Sequence, residues 1–186
     1  MTQAQYYGGN FLLALPGMED MRFDHSVVAL CVHDGDGALG ITVGEEMDGL
    51  GLRELLGSFD IDGSKVPDTP VLRGGPVEPR RGFVLHSLDW AGQDMMQVND
   101  QWGLSGSLDI LKAIAEQRGP SRYLVALGYA GWGPGQLDTE IKSNGWLHVA
   151  ADSDLVFGPD QDAKGQRAMD KIGIDPRMLS DDVGHA

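Results

Sequence analysis

Cysteine is almost absent from the sequence, and long apolar runs are missing altogether. The single Cys31 among 186 residues excludes an internal disulfide and gives no sign of an oxidising compartment. The first 17 residues contain no basic residue and only a short apolar run, so we expect no signal peptide. No stretch approaches the roughly 20 apolar residues that a membrane-spanning helix requires. These absences predict a cytoplasmic protein without a membrane partner.

Positive charge is also scarce. The chain has 14 Lys and Arg residues against 28 Asp and Glu residues, which gives a net charge of −14. Nucleic-acid binding draws its affinity from the neutralisation of phosphates, and an excess of negative charge opposes it. The composition therefore disfavours direct nucleic-acid binding. A content of 41% apolar and 23% charged residues is that of a globular chain, and the length fits one domain over residues 1–186.

Glycine is abundant, with 27 residues, which indicates many turns and short elements. The pattern of apolar residues predicts strands at 11–15, 26–33, 38–43, 82–87, 95–104, 123–127 and 146–149. It predicts helices at 50–56, at 107–117 with Ser107 as N-cap, at 134–144 with Pro134 in the first turn, and at 161–172. Residues 26–43 are predicted to form a β-hairpin. The mixture of elements predicts one α+β domain.

Three short motifs come close to known functional signatures and fail. A dinucleotide fingerprint that begins at Gly131 requires glycine at position 136, where the chain has Gln136. A calcium loop counted from Asp34 requires glycine at position 39, where the chain has leucine. The segment GLSGS, residues 103–107, differs from a nucleophile elbow by its last residue. We therefore expect no cofactor and no metal site, and the five histidines show no ligand spacing either.

Cys31 and His33 lie two residues apart in a predicted strand, so we expect their side chains on the same face. A neighbouring histidine can lower a thiol pKa and create a nucleophile. The surrounding run VVALCVH is apolar, however, and an unpaired cysteine is usually a small buried hydrophobic residue. Burial is the interpretation that we favour.

The segment LGYAGWGPGQLDTEI, residues 127–141, joins a predicted strand to a predicted helix. Its glycines favour a sharp corner that approaches another backbone closely, with Tyr129 and Trp132 packed over it. The alternative is a binding pocket in which Tyr129, Trp132, Gln136 and Glu140 of this segment face Arg81 and His86. Separately, Arg73, Arg80 and Arg81 around Gly-Gly-Pro form either a site for an anion or an acidic partner, or surface salt bridges with the abundant carboxylates, and the sequence leaves both open. The candidate surface then comprises Arg73, Gly74, Gly75, Pro76, Arg81, His86, Tyr129, Trp132, Gln136 and Glu140.

Several collinear segments together resemble the bacterial AlgH/YqgE family. They are FLLALPGM, CVHDGDGALGI, RGGPV, RGFVLH and LGYAGWGPGQLDTEI, followed by GID and GHA near the carboxy terminus. The resemblance implies an α+β fold with a bifurcated, partly barrel-like mixed sheet surrounded by helices. It also implies a cytosolic bacterial protein and does not imply an enzyme. Some members carry the label of transcriptional regulator, but no DNA-reading motif is present in this chain.

Two positions depart from the family pattern. The chain has Gly44 where the family usually has asparagine, and the segment DAKGQRAMDKIGID lacks the tryptophan that usually precedes GID. If either position belongs to a binding surface, the function of this member is altered there.

Three functions are compatible with these residues. The first is a non-enzymatic regulatory or interaction protein with an unidentified protein or small-molecule partner, and it is the one that we favour. The second is a small-ligand-binding protein or a hydrolase-like enzyme with His86 and Glu140 as acid and base, which requires both groups to reach one substrate. The third is a transcriptional regulator that contacts DNA directly, which the net charge of −14 disfavours. The oligomeric state is left open by the sequence.

Overall fold

A computed structural model describes residues 5–14, 27–143, 145–158 and 164–171. The strands are β1 (Asn10–Ala14), β2 (Val27–Asp34), β3 (Gly37–Val43), β4 (Glu46–Gly51), β5 (Pro70–Arg73), β6 (Val77–Ser87), β7 (Met96–Gln97), β8 (Trp102–Ser105), β9 (Tyr123–Trp132) and β10 (Trp146–Ala150). The helices are α1 (Leu52–Ser58), α2 (Leu108–Ala115), α3 (Gln136–Lys142), α4 (Ser153–Phe157) and α5 (Lys164–Lys171).

The strands form one mixed sheet in the order β10-β1-β2-β3-β9-β6-β8-β7, and neighbours along this path are antiparallel. The sheet bifurcates at β9. Its second half pairs with β3, whereas on its first half Leu72 and Arg73 of β5 run parallel to Ala126 and Leu127. Strand β4 extends that branch by pairing with β5. This is the α+β fold with a bifurcated, partly barrel-like sheet that the family resemblance implied.

The sheet curls, and a side chain of the β7–β8 loop and one at the start of β8 join its two ends. The amide of Asn99 donates to the carbonyl oxygens of Gly9 and Ala151 at 3.4 and 3.2 Å. The indole N–H of Trp102 donates to the same Ala151 oxygen at 2.9 Å. Gly9 precedes β1 and Ala151 follows β10, so these bonds bring the β7-β8 edge against the opposite end of the sheet.

The buried side chains of the described residues form three clusters. The largest lies inside the curl and includes Phe11, Trp102 and the α4 residue Val156. The second lies between helices α1 and α2 and the strands β6 and β9. The third, which contains Leu12 and Leu137, lies between α3 and strands β1 and β2. Helices α1 and α2 share one cluster, α4 and α5 another, and α3 covers the third, so the helices pack on the sheet as expected for an α+β domain. Within the described residues, no helix is both long and apolar enough to cross a bilayer.

Several predicted elements are confirmed, with shifted ends. The hairpin is β2 and β3, and the predicted helix at 107–117 is α2. Ser107 precedes α2, but its hydroxyl donates to Asp94 at 2.9 Å and does not cap the helix. Strands β4 and β5 were not predicted, because β4 has no fully buried side chain and β5 is only four residues long, with Val71 and Leu72 buried. Residues 161–163 and 172, with the GID and GHA segments, lie outside the described residues.

The prediction that Cys31 and His33 share a face is wrong. The register between β2 and β3 moves from Leu30 opposite Gly40 to Val32 opposite Leu39, so Cys31 is the extra residue of a β-bulge. Cys31 packs in the large cluster inside the curl, and its thiol donates to the Ala29 carbonyl oxygen at 3.5 Å. Burial raises the pKa of Cys31 well above its usual range. The favoured interpretation, a buried thiol, is the one that the structure supports.

His33 takes part in a separate aromatic group. Its Nδ1 accepts the backbone N–H of Tyr7 at 3.1 Å, so the proton lies on Nε2, which faces the Asp138 carboxylate at 3.4 Å. The ring of Tyr7 stacks on His33 at 5.8 Å and contacts His148 at 4.1 Å. These contacts tie the segment before β1 to the end of β2 and to α3.

Candidate functional site

The RGGP segment, Arg73–Pro76, is fixed by backbone hydrogen bonds on two sides. Gly74 donates to the Leu127 oxygen at 2.7 Å and accepts from the Thr42 N–H at 2.7 Å. Arg73 donates to the Glu45 oxygen at 2.9 Å. The segment therefore lies where the sheet bifurcates, between the end of β3 and the middle of β9, and its position is set by the backbone.

Three glycines permit this arrangement. A Cβ on Gly74 would lie 2.2 Å from the Gly128 oxygen, and one on Gly75 would lie 2.2 Å from the carbonyl carbon of Tyr129. A Cβ on Gly128, which has φ +81°, would lie 2.4 Å from the Gly75 oxygen. Gly128 therefore makes the close backbone approach that the sequence predicted, and its neighbour is the RGGP segment.

A cleft of about 440 Å³ opens beside this segment, and we refer to it as the RGGP cleft. Its apolar lining comes from Met47, Pro76, Pro79 and Leu127. Its polar lining comes from Thr42, Glu45 and Arg73. The Arg73 Nε lies 3.1 Å from the Glu45 Oε1, and their side chains are 50% and 62% exposed. The cleft thus combines an apolar surface with an accessible ion pair.

The family departure at Gly44 lies next to this cleft. Gly44 has φ +105°, in the left-handed region that glycine adopts freely and asparagine tolerates. The glycine therefore meets the conformational requirement of the turn before Glu45. The second departure, in the segment after residue 162, lies partly outside the described residues.

A wide bulge in β6 forms the other wall of the cleft. Val77 pairs with Tyr129 and Gly82 pairs with Leu127, so residues 78–81 oppose the single residue Gly128. Glu78 has φ +44°, which is uncommon for a residue with a side chain. The bulge places both arginines of the EPRR sequence at the surface. Pro79 within an otherwise strand-like run is the signal that predicts such an interruption.

Arg81 and Tyr129 of the predicted surface are brought together by this bulge. The Arg81 Nη1 lies 3.4 Å from Glu78 Oε2, and its guanidinium lies 5.1 Å above the Phe83 ring centroid. Tyr129 contacts Phe83 edge to face at 5.7 Å. Partial burial, followed by a hydrogen bond to Glu78, raises the pKa of Tyr129. The phenol is therefore a hydrogen-bond donor here.

His86 lies far along strand β9 from Trp132. It pairs with Tyr123 at the start of β9, while Trp132 ends the same strand nine residues later. At about 3.3 Å per residue, the two positions are separated by roughly 30 Å of strand. Trp132 is 6% exposed and contacts Trp146 edge to face at 6.0 Å, in the cluster beneath α3. The structure does not bring together the two halves of the predicted pocket, because β9 holds them at its opposite ends.

Gln136 and Glu140 lie on α3, which follows the Trp132 end of strand β9. The Gln136 Oε1 accepts the Gly133 N–H at 3.0 Å, which fixes the turn before the helix. The predicted turn lies at residues 133–135, and α3 begins at Gln136, two residues after Pro134. The earlier glycines Gly128 and Gly131 belong to strand β9, which continues to Trp132. Backbone pairing with β3 holds this stretch extended. An acid–base pair of His86 and Glu140 is therefore not formed.

His86 instead contacts Ser105, a pairing that the sequence reasoning missed. The His86 Nδ1 lies 2.9 Å from the Ser87 carbonyl oxygen, which only accepts, so Nδ1 carries the proton. Its Nε2 lies 2.9 Å from the Ser105 hydroxyl and accepts from it. Serine, histidine and an orienting acceptor are the components of an activated nucleophile. The near match of GLSGS to a nucleophile elbow was the signal for this pair.

The surroundings of Ser105 oppose nucleophilic catalysis. The next residue, Gly106, would supply the oxyanion N–H, but that N–H donates to the Asp94 carboxylate at 3.1 Å. A carboxylate at this position repels a developing oxyanion. Ser105 and His86 are 1% and 0% exposed. The pair is best understood as a buried polar bridge between β6 and β8.

The titration of His86 tests this assignment. Burial lowers the pKa of His86 below its ordinary value of about 6.5, so the imidazole stays neutral while the unfolded chain becomes protonated. In that interval the unfolded state binds more protons, so stability falls as the pH falls. We expect ¹⁵N NMR to show the Nδ1–H tautomer and a midpoint below about 6.5. An Nε2–H tautomer, or an elevated midpoint, would contradict the hydrogen-bond assignment.

The chain is similar to known proteins over nearly its whole length. A family model described as AlgH-like matches residues 11–177. A UPF0301 protein of Novosphingobium aromaticivorans is 52% identical over 186 residues, which cover 100% of both chains. A UPF0301 protein of Rhizorhabdus wittichii is 51% identical over 178 residues, which cover 96% of each chain.

Solved structures have the same fold. The solution structure of the AlgH protein from Pseudomonas aeruginosa matches with a TM-score of 0.78 and 34% identity, covering 100% of both chains. A crystal structure of a Corynebacterium diphtheriae protein has a TM-score of 0.72 at 19% identity, over 97% of this chain and 94% of the other, and shows the fold alone. From the family model and the identities of its relatives, we conclude that the chain belongs to the AlgH-like family.

Proposed function

We propose that the protein is a non-enzymatic interaction protein of the cytoplasm and that it binds a segment of a protein partner in the RGGP cleft. The observation that carries this proposal is the accessible Arg73–Glu45 ion pair beside an apolar lining, on a backbone that the surrounding strands hold in place. Apolar anchors with a few placed polar groups are what partner recognition uses.

The fixed backbone favours binding. The RGGP segment is hydrogen-bonded to β3 and β9, and its glycines pack against Gly128 and Tyr129 without space for a side chain. A surface that is already ordered loses little conformational entropy on association. The cleft is therefore preorganised for recognition by the backbone around it.

The ion pair indicates what kind of segment fits. Exposed ion pairs contribute about 0–1 kcal/mol, so exchanging Glu45 for a partner carboxylate costs Arg73 little. A partner segment with an acidic and a basic residue flanking an apolar side chain satisfies both Arg73 and Glu45 and covers Met47 and Leu127. A phosphate backbone satisfies only one member of the pair. A protein segment is therefore favoured over nucleic acid.

Reversal of the ion pair separates recognition from folding. The double variant Glu45→Arg with Arg73→Glu keeps an intramolecular ion pair, so we expect a thermal midpoint close to that of the wild-type protein. The partner then meets the opposite charge order, which is repulsive and weakens binding by about tenfold or more. The measurement is in-cell photo-crosslinking from a photoreactive residue at Met47, with and without the reversal.

A control position defines the specific signal. Lys112 is exposed on α2 and does not line the cleft. We expect discrete adducts from position 47, none of the same mass from position 112, and loss of those adducts in the reversed variant. Equal adducts from both positions, or adducts that persist after reversal in a folded protein, contradict the proposal.

A further inference from the structure

A second cavity lies on the other side of the β6 bulge, between helices α1 and α2 and the strands β6 and β9. Its volume is about 230 Å³, and we refer to it as the apolar slot. Its apolar lining is Leu55, Phe59, Phe83, Val84, Leu108, Leu111 and Val125. Drug-sized ligands occupy cavities of roughly 300–1,000 Å³, so this slot suits a smaller molecule.

The rim of the slot is unusually apolar for a protein surface. Phe59 follows α1 and is 40% exposed, and Leu108 begins α2 and is 43% exposed. Both side chains border the same cavity, whereas Leu55 and Leu111 on the same two helices are buried. Exposed apolar side chains that converge on one cavity mark a binding site more often than scattered ones do.

Among the described residues, Arg80 is the cation that lines the slot. Arg80, the third residue of the β6 bulge, is exposed and lines the cavity. Its counterparts Arg73 and Arg81 are paired with Glu45 and Glu78. Within the described part of the chain, no carboxylate lies at ion-pair distance from Arg80. In a chain of net charge −14, such a cation is open to an external anion.

The polar groups on the other side of the slot are already satisfied. Asp94 accepts the Gly106 N–H at 3.1 Å and the Ser107 hydroxyl at 2.9 Å. The Ser105 hydroxyl donates to His86. Arg80 is therefore the group that remains to recognise the charged end of a ligand, and the position of Asp94 requires that end to point toward Arg80.

The geometry points to a small amphipathic carboxylate as the ligand of this slot, with its chain against the apolar lining and its carboxylate on Arg80. This inference goes beyond the partner-binding cleft, and its residues are different ones. A guanidinium binds a carboxylate through charge-assisted hydrogen bonds, which supply the preference over an uncharged analogue of the same length.

Gly106 offers a way to close the slot without disturbing the fold. A Cβ at this position would lie 3.7 Å from two Phe83 ring atoms and 3.8 Å from the Gly82 oxygen, which are ordinary contact distances. The backbone there has no positive φ. Gly106→Val therefore places methyl groups in the cavity, and we expect a folded protein that no longer admits the ligand.

The experiment compares octanoate with octanol by ¹H–¹⁵N NMR titration of the full chain. We expect octanoate to shift amide signals of α1, α2 and Gly82, and octanol to bind at least about tenfold more weakly. Arg80→Ala is expected to abolish that preference. The neighbouring Arg81→Ala is the matched control, since Arg81 is paired with Glu78 and does not line the slot, and it should leave the preference intact.

Three results would overturn the inference. They are the absence of octanoate shifts at the slot, equal affinity for octanoate and octanol, and undiminished binding by a folded Gly106→Val protein. Loss of the preference in Arg81→Ala as well as in Arg80→Ala would also count against it, since the effect would then be one of overall charge. None of these results bears on the RGGP cleft, which is tested by its own ion-pair reversal.

Discussion

Replacement of Trp102 by alanine is expected to destabilise the protein by about 3–5 kcal/mol, the range for removing a buried aromatic side chain. Trp102 is 0% exposed and packs in the largest core cluster, inside the curl of the sheet. Its indole N–H also donates to the Ala151 oxygen at 2.9 Å. Alanine therefore leaves both a cavity and a buried carbonyl with one donor fewer.

The position of Trp102 explains why this single residue has so large an effect. Trp102 of β8 reaches Ala151, the residue that follows β10, and β8 and β10 lie near opposite ends of the strand order. Asn99 donates to the same Ala151 oxygen at 3.2 Å and compensates for part of the lost bond. The closure of the curl depends on these two side chains.

Urea unfolding at neutral pH measures the effect, and Trp102→Phe serves as the companion variant. Phenylalanine keeps most of the buried volume and loses the indole bond, so we expect a loss of about 1–2 kcal/mol. If Trp102→Ala does not fold, Trp102→Phe still gives a measurable change in the free energy of unfolding. A loss below about 1 kcal/mol for the alanine variant would contradict the role assigned to Trp102, because core tryptophans cost more than that.

Gly128→Ala is expected to have the second largest effect, roughly 2–5 kcal/mol. A left-handed conformation costs a residue with a side chain about 1–2 kcal/mol. The new Cβ would also lie 2.4 Å from the Gly75 oxygen, and overpacking of this kind costs a further 1–3 kcal/mol. The RGGP segment must move away from β9 to accommodate it, so the RGGP cleft is disrupted as well.

Gly49→Ala is the matched control. Gly49 has φ +71°, close to the φ of +81° at Gly128, but a Cβ there has no heavy atom within 4 Å. The Gly49→Ala variant therefore measures the cost of the backbone strain alone, about 1–2 kcal/mol, without a steric clash. Equal losses in the two variants, measured by chemical denaturation, would show that the close approach of the two backbones adds nothing to stability.

Much of the fold could be predicted because its elements carry local signals. The apolar run VVALCVH, followed by two Asp-Gly dipeptides, predicted the β2-β3 hairpin. The apolar stripe that includes Leu111 and Ile114 predicted α2. The short strands β4 and β5 were missed because neither shows the alternation of a half-buried strand: β4 has no fully buried side chain, and the two buried residues of β5 are adjacent. Their pairing is stabilised by β9, which is distant in sequence.

The candidate site was predicted in part. Arg73, Gly75 and Tyr129 do lie near one another, as the glycine-rich segments indicated. His86 and Trp132 do not, because spacing along the chain does not reveal that a single strand, β9, runs between their positions. The β6 bulge and the apolar slot depend on which residues of β6 and β9 are in register, and register is a property of the assembled sheet.

The sequence by itself determined the chain's composition, its family, and its main helices and strands, since these follow from local pattern and residue chemistry. The tertiary structure alone decided that Cys31 lies in a bulge facing the core, that His86 pairs with Ser105, and that Arg80 lines the apolar slot whereas Arg81 pairs with Glu78. Those outcomes depend on strand register and on the curl of the sheet, which arise from contacts between residues far apart in the chain.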